Sequence, residues 1–368
     1  MPSASARPRY VVLADGAFGP ETSKTANSAI RYLPDRVAAV LDGAAAGRTA
    51  QEVLGFGGAI PVVGTLEAAL AVTPPPTALL IGIAPRGGRL PQGWRAALLA
   101  AIDRGLEIWS GLHSRLADDA ELAARARSRG VRLVELREPP PALPVSNGRA
   151  REVDALVVLT VGSDCNSGKM TAQLELLRGL EAHGVRTRFV ATGQTGILIA
   201  GAGIAVDAVA SDFVGGAAEQ LVLDAAPGAD VVLVEGQGSL VHPGYSGVTL
   251  GLLHGSCPAA MILCHRASRQ LIGEYHPGEA WRAIPPLAEL VRIYEEAARW
   301  VQAAPVIGVA LNTHGLPEAV AAAAVERAAR ETGLPATDPV RFGPGALVAA
   351  VVAAAERRRS RRGAAPPA

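Results

Sequence analysis

Apolar and polar positions along this chain repeat in two periods, one of strands and one of helices. β-Branched, apolar runs predict strands at Tyr10–Ala14, Val37–Leu41, Ala78–Ile83, Glu107–Trp109 and Val131–Leu136. Between them, Trp94–Arg104 and Ala117–Ser128 carry an apolar stripe at helical spacing. Strand and helix patterns in alternation imply a parallel, Rossmann-like sheet, because a parallel crossover needs a covering helix. Beyond residue 150 the alternation resumes, with strands expected at 155–161, 185–191, 230–235, 259–264, 305–311 and 338–342 and an alanine-rich helix over 345–357. The proline-rich run Glu138–Arg149, EPPPALPVSNGR, separates the two series. One later stretch, SLVHPGYSGVTLGLLHGS, has too little apolar periodicity for a core element and is expected as a loop.

The order strand, glycine-bounded loop, helix over residues 155–184 is the most specific chemical signal. Gly162, Ser163, Asp164, Cys165, Asn166, Ser167 and Gly168 form the loop, and Lys169, Met170 and Thr171 open a helix with Leu174, Leu177 and Leu180 on one face. In such a loop successive backbone N–H groups converge on a phosphate at the positive end of a helix, with the lysine ammonium above it. The spacing departs from a standard Walker A motif, since Met170 stands where a magnesium-binding hydroxyl is expected. A thioether is a poor ligand for so hard a cation, so phosphate binding is expected without the usual Mg-ATP chemistry, and no metal ligand set is assigned.

These elements give the expected organisation: an α/β chain with a Rossmann-like domain over 1–140, a linker over 141–152, a P-loop-type parallel-sheet α/β domain over 153–358 and a flexible tail over 359–368. Asp42 ends a strand where dinucleotide folds place a ribose ligand. The first turn, DGAFGPETSKTAN, nevertheless lacks G-x-G-x-x-G and argues against a nicotinamide site.

Other candidates gather where strands of the second domain end, since ligands bind beyond the carboxyl ends of parallel strands. Glu235 closes the strand before Gly-Gln-Gly and is a candidate general base. His242 and Tyr245 belong to the polar 240s stretch and are further catalytic candidates, with Gln237 beside them for substrate contact. Arg266, and Lys24 from the first domain, could pair with substrate carboxylates. Asn312 ends another strand and is a candidate for reading an adenine ring. Cys264 is expected as a core residue, and Asp212 as the N-cap of a helix.

Composition narrows the classes. A net charge of +1, from 35 basic and 34 acidic residues, gives no sign of a nucleic-acid or membrane partner. Only 4% of residues are aromatic, which disfavours a base-stacking platform. Three cysteines, without metal spacing, fit a reducing cytoplasm, and the MPSASARPRY start is expected to carry no leader peptide. A small-molecule enzyme, expected as a homo-oligomer, remains.

Two resemblances add to this reading. GSDCNSGK with VEGQGS resembles dethiobiotin synthetase in the core of the second domain, which would imply an ATP-dependent ligase or kinase. Almost the whole chain is similar to the DgcN family of D-glutamate N-acetyltransferases, through DGAFGPETSKTANSAIRY, GSDCNSGKMT, DAVASDFVGGAAE, VEGQGSLVHPGYSGVTLGLLHGS and LCHRASR. That resemblance implies acetyl-CoA as donor, a D-amino acid such as D-glutamate as acceptor, and a phosphate loop used for coenzyme A. An N-acetyltransferase is therefore the leading expectation. The ligase and a non-catalytic nucleotide sensor are the alternatives.

Overall fold

The computed structural model describes residues 7–85, 88–274, 278 and 280–363, which form two compact units. Among the described residues, the first comprises those up to Glu138 with Ile197–Gly201, and the second Pro139–Gly196 with those from Ala202 on.

In the first unit, β1 (Tyr10–Leu13), α1 (Lys24–Tyr32), β2 (Val37–Leu41), α2 (Ala50–Leu54), β3 (Val62–Val63), α3 (Leu66–Leu70), β4 (Ala78–Ile81), α4 (Arg95–Asp103), β5 (Glu107–Ser110), α5 (Ala120–Arg129) and β6 (Leu133–Glu135) follow in order. The strands form one parallel sheet in the order β3-β2-β1-β4-β5-β6. Successive strand residues point to opposite faces, so Val11 and Leu13 enter one core while Tyr10 and Val12 enter the other. Both faces being covered explains why β1 and β2 read as unbroken apolar runs. The Asp42 carboxylate is buried and accepts the Phe18 and Ala45 backbone N–H groups at 3.0 and 2.9 Å. It pins two turns beyond the carboxyl end of β2, a role that needs no ribose.

The second unit contains β7 (Leu156–Gly162), α6 (Lys169–Ala182), β8 (Thr187–Val190), α7 (Gln194–Ala200, whose end counts with the first unit), α8 (Ser211–Ala225), β9 (Val231–Val234), α9 (Ser246–Ser256), β10 (Ala260–Arg266), α10 (Leu287–Arg299), β11 (Val306–Asn312), α11 (Glu318–Thr332), β12 (Ala336–Thr337) and α12 (Gly345–Gly363). Its parallel sheet runs β12-β11-β10-β7-β9-β8. The chain leaves β7 toward one edge and later returns to build the other, which makes the end of β7 the switch point where ligands bind. Among the described residues no helix is long and apolar enough to cross a membrane.

Four local expectations need correction. The 240s stretch is a loop only to Tyr245, after which Ser246–Ser256 forms α9. Its glycines mark close helix packing: a Cβ on Gly255 would lie 2.1 Å from the Gly215 carbonyl of α8, and one on Gly251 2.6 Å from Val214. Backbones in contact leave no room for the apolar stripe that would have announced a helix. The last strand is at Ala336–Thr337, because the Asp338 side chain instead caps the following turn, accepting Val340 and Arg341 N–H groups at 3.0 Å. Asp212 lies inside the first turn of α8, and the residue before that helix is Ala210. Finally, α12 runs on to Gly363, so the expected tail is helical in part, and residues 364–368 lie outside the described residues.

Candidate active site

The site grows from the end of β7, a strand buried along its whole length. Asn166 (φ 51°) and Gly168 (φ 100°) take the left-handed conformation, which folds residues 163–168 into a tight loop ahead of α6. Lys169 is buried and its Nζ donates to the Asp164 carbonyl at 2.9 Å and the Ser167 hydroxyl at 3.4 Å. A Cβ on Gly162 would fall 2.8 Å from that Nζ and 2.6 Å from the Ser167 hydroxyl, so glycine leaves room for both side chains. The arrangement sets a tight loop and a lysine ammonium at the N-terminus of α6, the elements of an anion cradle.

The loop is braced from beneath. Asp164 is fully buried; Oδ1 accepts the Cys165 N–H at 2.7 Å, while Oδ2 accepts the Gly273 N–H at 2.9 Å and Arg269 Nη1 at 3.3 Å. Arg269 Nη1 also donates to the Cys165 carbonyl. The Ser163 hydroxyl meets His265 Nδ1 at 2.9 Å. Burial first, then the neighbouring Arg269 and Arg327 charges, pull the His265 pKa down to about 4, which keeps the ring neutral. Tyr294 of α10, completely buried, donates to the Gly162 carbonyl at 2.7 Å and accepts the Leu240 N–H at 3.1 Å. Burial pushes its phenol pKa upward, so it stays a hydroxyl.

On the other flank, Glu235 follows β9. The carboxylate is buried and its Oε2 accepts the Thr192 and Gly193 N–H groups at 3.0 and 3.2 Å. The Thr192 hydroxyl returns a bond to the Glu235 carbonyl at 2.6 Å and receives Gln237 Nε2 at 3.2 Å. Gly236 crosses so close to β7 that a Cβ there would sit 1.7 Å from the Thr160 carbonyl and 3.1 Å from Lys169 Cδ. This glycine brings the 235–239 segment against the loop. Beyond it, the His242 and Tyr245 rings pack with centroids 4.6 Å apart and planes tilted by 40°. One ligand-capable atom each of His242, Cys165 and Asp164 lie within 4.8 Å of one another. Both Asp164 oxygens already accept protein donors, and the same cluster sets an imidazole beside a thiol.

The Glu235 and Gln237 side chains thus engage residues 192–193, while the structure brings His242 to the phosphate loop, with Tyr245 packed against it. Asn312 belongs there too, since a Cβ on Gly168 would lie 3.7 Å from Asn312 Cβ. Thr313 is committed elsewhere, donating to Asp338 at 2.6 Å. Arg266 ends β10 half-buried, with its Nε 3.3 Å from the Ser268 hydroxyl. Lys24 opens α1 in the first unit. Cys264 is wholly buried in β10, where burial raises its thiol pKa to about 12, as befits a core residue. Sequence reasoning passed over Arg269 and Tyr294. The signal for Arg269 was faint, a second arginine in the HRASR run. Tyr294 looked like any apolar position of an amphipathic helix.

Comparison with known families places residues 144–348 in the P-loop domain, and residues 44–139 in the Rossmann-like domain, of the domains of unknown function called DUF1611. The chain is similar to D-glutamate N-acetyltransferase of Tritonibacter scottomollicae, with 40% identity over 274 residues, 74% of this chain and 80% of that protein. It is also similar to the protein of that name from a Pseudoalteromonas species, with 36% identity over 271 residues, 73% of this chain and 80% of its relative. Among solved structures it resembles a DUF1611 protein from Anabaena variabilis, at a TM-score of 0.88 and 39% identity, covering 94% of this chain and all of that one. The phosphate loop, the two parallel sheets and these matches agree: the chain belongs to the DUF1611 family, in which a Rossmann-like domain precedes a P-loop domain.

Proposed function

We propose that this protein transfers an acetyl group from acetyl-CoA to the amino group of D-glutamate, as a homo-oligomeric cytoplasmic enzyme. The names of its relatives support the reaction class. The observation within this chain that carries the reading is the cradle of residues 163–169, an anion site with Met170 buried where a magnesium ligand would otherwise stand. Such a loop suits the coenzyme's phosphates better than it suits Mg-ATP.

In this reading Lys169 and the loop amides hold the diphosphate, while Asn312 approaches the adenine. The acceptor ammonium must lose a proton before its nitrogen attacks the thioester carbonyl. His242 is the group we assign to that step. It is half-buried, while the Glu235 carboxylate is buried and holds two backbone amides. Glu235 then acts by positioning the 192–193 turn and, through Thr192, Gln237. The Tyr245 hydroxyl and the amides of residues 236–239 are the donors available to the oxyanion of the tetrahedral intermediate, which collapses to the amide and releases coenzyme A as its thiol. Diphosphate and thioester occupy opposite ends of the pantetheine arm, so this assignment requires the arm to turn back over residues 237–245.

A thiol-release assay with acetyl-CoA and a panel of D- and L-glutamate and D- and L-aspartate tests the proposal. Turnover highest with D-glutamate, together with mass-spectrometric detection of N-acetyl-D-glutamate, is the expected result. Magnesium-dependent binding of ATP without any binding of coenzyme A would sink it.

A further inference from the structure

Beyond the carboxyl ends of β10 and β11, next to the phosphate loop, lies a cavity of about 260 Å³. Its lining mixes apolar residues, Leu311 and Ala328 among them, with His265, Arg269, Arg327 and Glu331. Arg327 and Glu331 sit four residues apart on α11, the spacing at which such residues ordinarily pair. They do not pair here. The Glu331 carboxylate instead accepts the Leu287 and Ala288 N–H groups at the start of α10. Among the described residues no hydrogen bond or ion pair reaches Arg327. Arg269, which also lines the cavity, is buried and bonded to Asp164 and to the Cys165 carbonyl, so one guanidinium belongs to both the cavity and the loop. Both arginines add, after burial, to the lowering of the His265 pKa.

An unpaired guanidinium among apolar lining residues is suited to a carboxylate carried on a short aliphatic chain. We propose that this cavity is an oxyanion subsite that takes a carboxylate of the acyl acceptor on Arg327, with Arg269 linking its occupancy to the phosphate loop. The inference rests on the acetyl-transfer reading and deepens it. Glu331 favours a singly charged carboxylate over a phosphate, although the 3′-phosphate of coenzyme A offers the same oxygen chemistry and is the second source to be separated.

The test uses the full-length protein and its R327A and R327K variants. Arg327 is exposed on its helix, so the fold should survive, as melting temperature will verify. R327A is expected to raise KM for D-glutamate by about 10- to 100-fold, the range for hydrogen bonds to charged groups. Acetyl-CoA affinity should stay unchanged, and R327K should restore part of the loss. If R327A instead weakens coenzyme A but not dephospho-coenzyme A, the subsite is real and holds the 3′-phosphate. Unchanged D-glutamate KM and unchanged coenzyme A affinity overturn it. Should the wild type acetylate nothing in the panel, the functional reading fails separately. Calorimetry with D-glutamate then decides: binding lost in R327A upholds the subsite, and equal or absent binding in both proteins removes it.

Discussion

The Tyr294 hydroxyl and the Gly162 carbonyl lie 2.7 Å apart, and through that bond a helix far along the chain holds the mouth of the phosphate loop. The same oxygen accepts the Leu240 N–H, so one buried phenol ties the loop to the segment that leads into His242.

Replacing Tyr294 with Phe keeps the ring and removes only that oxygen. The Leu240 N–H and the Gly162 carbonyl then lose a buried partner, and urea unfolding should show a loss of about 1–3 kcal/mol. Turnover should fall as well, since both flanks of the site lose a shared anchor. Unchanged stability would mean that water replaces the phenol without cost.

Lys169→Ala should weaken coenzyme A binding by about 1.5–3 kcal/mol, the range for hydrogen bonds to charged groups. Titration calorimetry measures it directly. If affinity for the coenzyme holds while KM for D-glutamate climbs, the loop cradles the acceptor's carboxylate and the diphosphate lies elsewhere.

His242→Ala should lower turnover by about 10²–10⁴-fold with coenzyme affinity intact, as loss of a general base does. Glu235→Gln should do less to turnover, because a glutamine oxygen can still accept the Thr192 and Gly193 amides. The two variants compared in one thiol-release assay assign the base. A collapse of turnover in E235Q with H242A near wild type would move that role to Glu235.

His265 gives the protein a pH dependence of known sign. Its pKa is about 4 in the folded state against an ordinary 6.5, so between those values only the unfolded chain takes up the proton. The stabilisation is complete above pH 6.5 and is lost as pH falls toward 4. It amounts to about 3 kcal/mol by the usual conversion. Urea midpoints of wild type and H265Q, compared from pH 7 to pH 4, should converge by that amount. Parallel curves would show that the imidazole is solvated.

Much of this architecture was legible because its cause is local. The phosphate loop lies within ten consecutive residues, and β7 announces itself by unbroken burial on both faces. What escaped was long-range. Arg269 reaches Asp164 across 105 residues of sequence and Tyr294 reaches Gly162 across 132, and no periodicity encodes either meeting. The helical 240s were misread for a different reason: at Gly251 and Gly255 the packing partner is main chain or a side chain of the facing helix, so the usual apolar signature was never needed. Glu235 was visible as an acidic strand tip, but its engagement by residues 192–193 depends on a neighbouring strand.

The glycine contact between α8 and α9 has a consequence for how variation in this chain will read. A methyl group at Gly255 would have to displace the Gly215 backbone or move α9 itself, and α9 begins immediately after His242 and Tyr245. A mutational scan scored on turnover should therefore rank Gly255 beside the catalytic residues, although it touches no ligand. The tolerance of the enzyme to drift is set there by the clearance between two helices, and a position that would pass as filler becomes one of the least replaceable in the chain.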